Sequence, residues 1–318
     1  MTLLTIGIPI YNGQDTVGDT LDSLCSQINK DIANDIEILI SDNASNDDSD
    51  KIISKYIKQY PKIFSYYKNK KNIGYDKNVD NVFKKSKGQF VWIFACDDVS
   101  KQNSISYILK TIKNNTDVSV FLINFEIYNN DLSKLAHVDY TNNKKDAIYK
   151  DYRNFLYRSN SKYGLVSSLI FLKDSWNSID VSTGYGFQYI HIFVLLSILP
   201  KIKSAYIIDT PLFCARLGSS NFQKSPDDNI LIPLGAIKLL KLIRSSTNFD
   251  HKCYKFLLKN QRKYVFSSIK SSINLGMKNK FFVFKELVKY NYDSPIFWLR
   301  YAVKFLRKKR KCNNIPSK

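Results

Sequence analysis

The N-terminal third of the chain alternates apolar strands with amphipathic helices, and this order constrains the fold more than any other feature of the sequence. Strands are predicted at residues 3–10, 36–40, 64–67 and 90–96. Helices are predicted between them, at residues 15–28, 49–59 and 76–87. A repeated strand–helix–strand order is typical of a parallel sheet with helices on both faces. We therefore predict an α/β fold with a mostly parallel sheet.

Polar residues follow three of these strands at the point where each strand ends. They are Tyr11-Asn12, Asp42-Asn43 and Asp97-Asp98. Ligands of open parallel sheets bind outside the carboxyl ends of the strands, and these ends meet at one edge. We therefore expect the three clusters to converge on one crevice.

Asp97 and Asp98 directly follow a strand in which six of the seven residues from Phe90 to Cys96 are apolar or aromatic. Two adjacent carboxylates at the end of a buried strand are costly unless a cation or polar ligand lies between them. Oxygen ligands suit Mg²⁺ or Mn²⁺, and such an ion can bridge to phosphates. The alternative is that the two aspartates cap a helix that starts near Ser100.

The balance of charges points to an anionic partner. Among 318 residues, 48 lysines and arginines face 28 acids, which gives a formal net charge of +20. Such a surplus suits nucleic acid, an acidic membrane surface or a phosphorylated substrate, although a lysine-rich composition explains part of it. We find no helix-turn-helix, zinc-finger or RNA-recognition signature, so nucleic acid is not the expected partner.

Cysteine usage and hydropathy predict a protein of a reducing cytoplasm. The five cysteines show no C-x-x-C spacing, which argues against a disulfide framework or a zinc site. No basic segment precedes the first strand, and the longest apolar run, at residues 190–199, is too short to cross a bilayer. We therefore expect neither a signal peptide nor a transmembrane helix.

The remaining chain divides into two regions. Up to residue 216 the pattern predicts further strands and an apolar helix that opens at residues 184–191. From residue 230 the pattern is helical and strongly basic. We place a boundary near residue 225, with a catalytic domain at 1–225 and a basic helical region at 226–318.

Five segments resemble, in order, the nucleotide-sugar domain of family 2 glycosyltransferases with the GT-A fold. They are Ile8–Asn12, Ile40–Ser45, Asn72–Asn78, Lys87–Phe90 and Ala95–Asp98. Ordered matches are more specific than any single motif. The sequences of these segments are most similar to the O-antigen branch typified by abequosyltransferases, and the likeness weakens beyond residue 125.

The resemblance implies where a nucleotide-sugar donor binds. Its predicted contacts are Pro9, Tyr11, Asn12, Asp42, Asn72, Gly74, Lys77, Asp97 and Arg216. Asp42 would accept a hydrogen bond from the base, as the matching residue does in the family. Arg216 either clamps the diphosphate or lies on the surface.

The resemblance also implies a Mg²⁺ or Mn²⁺ ion held by Asp98 and Asp97. The ion would neutralise charge on the leaving diphosphate. The family's D-x-D motif begins here with Ala95 in place of an acid. Fewer carboxylates predict a weak, water-rich site that the diphosphate completes.

The implied reaction is inverting transfer, in which a general base deprotonates the acceptor hydroxyl. Relatives place an acidic base at the start of a late helix, but residues 184–191 contain no acid here. His191 and Asp180 are the candidate bases. Alternatively, His191 is a buried histidine of the apolar helix.

The C-terminal segment 296–311 predicts an amphipathic basic helix. Phe297, Tyr301 and Phe305 recur at helical spacing, and six cations lie among residues 304–311. Such a helix suits anionic lipid, or it packs on the domain and leaves a basic tail. A lipid-linked oligosaccharide acceptor at the cytoplasmic face of the inner (plasma) membrane would suit a peripheral protein of this kind.

Three functions are consistent with these features. The first is a glycosyltransferase that extends an O-antigen or capsule-type polysaccharide. The second is a basic protein that binds nucleic acid, and the third is an inactive family member that binds a nucleotide sugar. The sequence leaves the donor, the acceptor and the oligomeric state open.

Overall fold

A computed structural model describes residues 2–139, 144–160, 162–216 and 228–274. Its strands are β1 (Leu4–Ile10), β2 (Ile36–Asp42), β3 (Phe64–Lys68), β4 (Phe90–Ile93), β5 (Val99–Ser100), β6 (Val120–Tyr128), β7 (Leu135–Asp139), β8 (Ala147–Tyr149), β9 (Leu169–Leu172) and β10 (Ala205–Arg216). Its α-helices are α1 (Val17–Cys25), α2 (Ser49–Gln59), α3 (Tyr75–Lys85), α4 (Ser104–Lys113), α5 (Tyr152–Arg158), α6 (Lys173–Asn177), α7 (Ile190–Ile198), α8 (Asp228–Ser246) and α9 (His251–Asn274).

All the described strands belong to one sheet, whose main path runs β3-β2-β1-β4-β9-β6-β10-β5. Strands β1 to β4 are parallel to one another, and in this register Ile10 pairs with Asp42 and Gly7 with Ile93. Strand β9 then enters between β4 and β6, antiparallel to both. The predicted parallel arrangement is therefore confirmed for the N-terminal half, and the sheet as a whole is mixed.

Helices cover both faces of this sheet, as the strand–helix alternation predicts. Ile6 and Trp92 belong to one apolar core with α1, α2 and α4, whereas Leu39 and Val91 belong to a second core with α3 and α7. Successive residues of a strand point to opposite faces, so each central strand must be apolar throughout.

Helix α3 approaches the sheet closely because β1 carries a glycine. A Cβ atom at Gly7 would lie 2.1 Å from Cγ1 of Val82. A larger residue there would push α3 away from the sheet, and with it the polar turn that precedes the helix.

Several predicted elements have different limits in the structure. Helix α7 begins at Ile190, and residues 184–189 form a loop before it. Strand β10 continues beyond Ile208 through register shifts on either side of Pro211, and reaches Arg216. Residues 129–150 contain β7 and β8, which pair with β6 and β10, so they do not form a hairpin with each other.

The C-terminal region is helical over α8 and α9, as predicted. No helix within the described residues is long and apolar enough to span a membrane. The basic segment 296–311 lies outside the described residues, and the boundary near residue 225 stays a prediction.

Candidate active site

Strand β4 ends at Ile93, three residues before its predicted end, and Asp98 lies in the turn between β4 and β5. Its side chain is buried and held in one orientation. The residue is 6% exposed, and the Ser167 hydroxyl donates to Asp98 Oδ2 at 2.5 Å. The same hydroxyl accepts from the Ala95 backbone N–H at 2.9 Å. The carbonyl oxygen of Asp98 accepts from Thr20 Oγ1 at 2.8 Å. The backbone and carboxylate of Asp98 are therefore both fixed by neighbouring elements.

Arg216, at the end of β10, is a cation that lies beside the turn containing Asp97 and Asp98. Its Nε donates to the Asp97 carbonyl oxygen at 2.8 Å, and its Nη1 donates to the Asn130 carbonyl oxygen at 2.7 Å. Its Nη2 forms an ion pair with Asp19 in the first turn of α1, and the side chain is only 5% exposed. Arg216 is therefore no free surface arginine, because it ties three segments to the Asp97 turn.

The environment of Asp98 disfavours its ionised form. Burial, and then the charge of Asp97, raise the pKa of Asp98 well above its usual range, while Ser167 and Arg216 act in the opposite direction. A positive charge added beside the Asp98 carboxyl would therefore favour its ionised form.

The donor atoms at this turn fit a hard divalent cation, but only in part. Asp97 and Asp98 offer carboxylate oxygens, which Mg²⁺ and Mn²⁺ prefer. Within the described residues there is no group of three or more His, Cys, Asp or Glu side chains that could hold a metal. An ion held here would thus take most of its ligands from water and a bound diphosphate.

The turn after β1 lies beside the loop after β2. Asn12 has a φ of +52°, its backbone N–H donates to Ser45 Oγ at 3.0 Å, and its Oδ1 accepts from Asn46 N at 3.0 Å. Tyr11 is 38% exposed, whereas Pro9 is buried within β1. Of the predicted base contacts in this segment, Tyr11 therefore presents an accessible side chain, and Asn12 shapes the loop.

Asp42 is fully buried at the end of β2. Its Oδ1 accepts from the Ser45 backbone N–H at 2.7 Å, and its Oδ2 accepts from the Tyr66 hydroxyl at 2.7 Å. Lys68 Nζ lies 3.6 Å from Oδ2. A carboxylate has about four acceptor positions, so Asp42 keeps acceptor capacity, but a base must displace a neighbour to reach it.

Asn72 and Gly74 belong to an amide network at the same edge. Asn43 Nδ2 donates to Asn72 Oδ1 at 2.8 Å, and Asn43 Oδ1 accepts from Ile73 N at 2.9 Å. Gly74 has a φ of +85°, which favours glycine at this position. Lys77 is exposed, and its Nζ lies 5.7 Å from the ring centre of Tyr185. Asn72 and Gly74 therefore shape the turn before α3, and Lys77 remains accessible.

Asp76 is a site residue whose role the sequence interpretation missed. Its Oδ2 accepts from the backbone N–H groups of Gly186 and Gln188 at 2.8 and 2.9 Å, and its Oδ1 accepts from Ile190 N at 3.1 Å. One turn later on α3, Asp80 accepts from Trp176 Nε1 and from the Tyr185 hydroxyl. The i, i+4 spacing of two aspartates on a predicted helix was the signal available in the sequence.

The two candidate bases differ in their surroundings. His191 is 3% exposed, its Nε2 lies 3.2 Å from the Gly164 carbonyl oxygen, and its Nδ1 has no hydrogen-bond partner among the described residues. Burial lowers the pKa of His191 to about 4. These observations argue against His191 as a general base, because a sealed, neutral imidazole does not meet an acceptor hydroxyl.

Asp180 is exposed and caps a short 3₁₀ turn, Val181–Gly184. Its Oδ1 accepts from Ser182 N at 3.1 Å and from Ser182 Oγ at 2.6 Å, and these bonds lower the pKa of Asp180. Asp180 is therefore ionised at neutral pH but is a weakened base.

Comparison with known proteins assigns this site to a family. The profile described as "Glycosyl transferase family 2" matches residues 5–174. The chain belongs to glycosyl transferase family 2. The match spans β1 to α6 and contains the three strand ends described above. The prediction that the chain is a glycosyltransferase is thereby confirmed.

The relatives agree with this assignment. Abequosyltransferase RfbV of Salmonella typhimurium is 26% identical over 84% of this chain and 83% of its own length. Among solved structures, S. aureus TarS 1–349 in complex with UDP-GlcNAc matches with a TM-score of 0.69 and 15% identity, over 92% of this chain and 82% of the TarS 1–349 chain. A Pyrobaculum calidifontis mannosyltransferase with GDP-Man and Mn²⁺ has a TM-score of 0.53 and 12% identity, over 96% of this chain and 87% of its own. The predicted GT-A fold and the likeness to the abequosyltransferase branch are confirmed.

Proposed function

We propose that this chain transfers one sugar, with inversion, from a nucleotide-sugar donor to a lipid-linked or growing surface polysaccharide. The observation that carries the proposal is the buried Asp98 carboxyl next to Asp97, in the turn that follows β4. A family 2 glycosyltransferase needs a site for a diphosphate, and a buried carboxyl with a second acid next to it suits a cation that binds one.

The donor would lie across the three strand ends. Tyr11 offers an aromatic face to the base. Asp42 accepts a hydrogen bond from the base once Tyr66 or Lys68 has been displaced from its carboxylate. The exposed ammonium group of Lys77 reaches a phosphate or the base. Two structural neighbours solved with UDP-GlcNAc and with GDP-Man support the choice of a nucleotide sugar as donor.

Asp98 and Asp97 would hold the divalent cation together with the donor's diphosphate. When bound, Mg²⁺ or Mn²⁺ supplies Lewis-acid stabilisation of the leaving group. Ser167 fixes the Asp98 carboxylate. Arg216 fixes the backbone of Asp97 and brings a positive charge close to the diphosphate.

Asp180 remains our candidate for the base that takes the acceptor proton, because it is exposed and ionised. His191 is assigned instead to packing of α7 against the Gly164 segment. Replacing Asp180 with asparagine should lower turnover while donor binding is kept.

The acceptor is proposed to be lipid-linked, at the cytoplasmic face of the membrane. The likeness to an abequosyltransferase supports a polysaccharide acceptor. The basic, aromatic segment 296–311 supports a peripheral position on anionic lipid.

The test is donor turnover by the full chain with Mn²⁺ or Mg²⁺, measured as nucleoside diphosphate release from a panel of nucleotide sugars. Asp98→Ala should abolish release, and the exposed Asp31→Ala should not change it. Wild-type turnover in Asp98→Ala would refute the assignment of the two acids.

An inactive family member that binds a nucleotide sugar is the second candidate. The absence of an acid from residues 184–191 favours it. Measurable nucleoside diphosphate binding without turnover on the whole donor panel would support this alternative.

A further inference from the structure

Helix α9 carries a row of cations along one face. Between residues 251 and 265, where the structure describes the side chains of this helix, its exposed Lys and Arg residues are Lys252, Lys255, Lys259, Arg262 and Lys263. At about 3.6 residues per turn these positions share one face, and they extend over roughly 16 Å of helix. The opposite face is apolar, because Cys253, Leu257 and Val265 are each at most 3% exposed. We call these five residues the α9 basic face.

The α9 basic face has no internal countercharge. Helix α9 contains no Asp or Glu, and none of the five cations forms an ion pair with a described residue. Elsewhere in the described part of the chain Lys84, Lys87 and Lys113 each pair with a carboxylate, whereas Lys55 and Lys58 of α2 do not. Helix α9 differs from α2 because five cations share one face of a helix that has no acid. Like charges at helical spacing repel each other, so the arrangement is unfavourable for folding alone.

Charge also limits what can cover this face. Residues 275–318 contain twelve Lys and Arg but only two Asp and Glu. That segment, or the same face of a second copy, would bring positive charge against positive charge. The complementary partner is therefore anionic.

We propose that the α9 basic face docks on the anionic headgroups of a lipid bilayer, with the helix axis parallel to the surface. A straight row of cations on a rigid helix matches a planar array of negative charges. The proposal rests on the proposed function for its choice of lipid, since a lipid-linked acceptor requires the enzyme at a membrane.

The test is flotation of the full chain with vesicles of neutral phosphatidylcholine, alone or with about 30% phosphatidylglycerol. One variant carries Lys255→Gln, Lys259→Gln and Arg262→Gln, which remove charge and keep helix propensity. Its matched control carries Lys55→Gln, Lys58→Gln and Lys62→Gln, three exposed lysines on and after α2. Helix α2 packs on the other face of the sheet, in the core opposite α9.

We expect the wild type to float with anionic vesicles and not with neutral ones. Each cation at an anionic surface contributes about fivefold, so the α9 variant should bind roughly a hundredfold more weakly. The control should bind as the wild type does. Equal loss in both variants, or no loss in the α9 variant, would overturn the proposal.

A random-sequence oligonucleotide tests the competing partner. Tighter binding to it than to anionic vesicles, with the same loss in the α9 variant, would assign the face to nucleic acid and overturn the lipid assignment. Donor turnover without vesicles separates docking from catalysis, because the α9 variant should keep it. If the full chain showed no donor turnover but still bound anionic vesicles through the α9 basic face, the proposed function would be refuted and the docking proposal would stand.

Discussion

The carboxylate of Asp76 accepts a hydrogen bond from the backbone N–H of Gln188 at 2.9 Å, and so joins α3 to the loop before α7. The same carboxylate accepts from Gly186 and Ile190. Burial raises the pKa of Asp76, and the hydrogen bonds from this loop oppose that shift. Helix α3, which carries the proposed donor contact Lys77, and the loop before α7 are thus held together by one side chain.

Replacing Asp76 with asparagine should loosen this connection. An amide offers one acceptor oxygen, so at least one buried N–H group loses its partner, at a cost of about 1–3 kcal/mol of unfolding free energy. We expect turnover to fall at least about tenfold, since misplaced groups lose much of their catalytic effect. Nucleoside diphosphate affinity should change little. Urea unfolding and steady-state kinetics measure these effects, with the exposed Asp31→Asn as the control.

The role of Asp76 would be contradicted by two results. One is an Asp76→Asn enzyme with wild-type turnover. The other is an enzyme whose nucleotide affinity falls as much as its turnover, which would place the effect at the donor site.

Arg216→Lys should lower donor turnover. Three of the nitrogens of Arg216 engage Asp97, Asn130 and Asp19, and one ammonium group cannot reach all three. We expect at least about a tenfold loss of turnover from the misplaced Asp97 turn. The exposed Arg153, which pairs only with Asp151 among the described residues, provides the control Arg153→Lys. Equal kinetics in the two variants would remove Arg216 from the site.

Ser167→Ala tests whether the proposed binding of Mn²⁺ depends on the orientation of the Asp98 carboxylate. The substitution leaves Ala95 N–H and Asp98 Oδ2 without their shared partner, at a cost of about 1–3 kcal/mol. The Mn²⁺ concentration that gives half-maximal turnover should rise several-fold. Ser178→Ala, at an exposed serine of the same region, should leave it unchanged. An unchanged Mn²⁺ requirement in Ser167→Ala would show that Asp98 needs no such support.

His191 should make folding stability depend on pH. Burial lowers the pKa of His191 to about 4 from its usual 6.5, so between these values the unfolded chain binds more protons than the folded one. Stability should therefore fall as the pH is lowered from about 6.5 to 4, by at most about 3 kcal/mol from this group. His191→Gln keeps a donor for Gly164 and should remove this part of the pH dependence. The difference between the two unfolding curves measures it, and parallel curves would contradict the assignment.

The N-terminal half of the fold was predictable because its signals are local. Strand and helix periodicities over residues 3–96 predict β1 to β4 and the helices between them, and the carboxyl ends of parallel strands must share an edge. That reasoning places the turn after β1 beside the end of β2, where Ile10 pairs with Asp42. The insertion of β9 between β4 and β6 joins residues about eighty positions apart, and no local pattern encodes such a pairing.

The rest of the site depends on contacts between distant residues. Residues 184–189 appear helical in sequence, but Gly186 and Gln188 have φ values of +90° and +62°, and Asp76 takes their N–H groups. The partner of Arg216 near the acids is a backbone carbonyl, which sequence does not display. Burial of His191 follows from packing around α7, so the lowered pKa of this histidine could not be predicted from residue type alone.

The central claim, that Asp97 and Asp98 bind a divalent ion through a nucleotide sugar's diphosphate, is tested most directly by thermal unfolding with UDP, CDP, GDP and dTDP, each with and without Mn²⁺. At one hundred times its Kd a ligand adds about 2.7 kcal/mol, or several degrees of Tm. We predict that one diphosphate raises the Tm only with Mn²⁺, and that Asp98→Asn stays folded but loses this increase. An increase that is the same without Mn²⁺ and in Asp98→Asn, or no increase with any diphosphate, would contradict the claim.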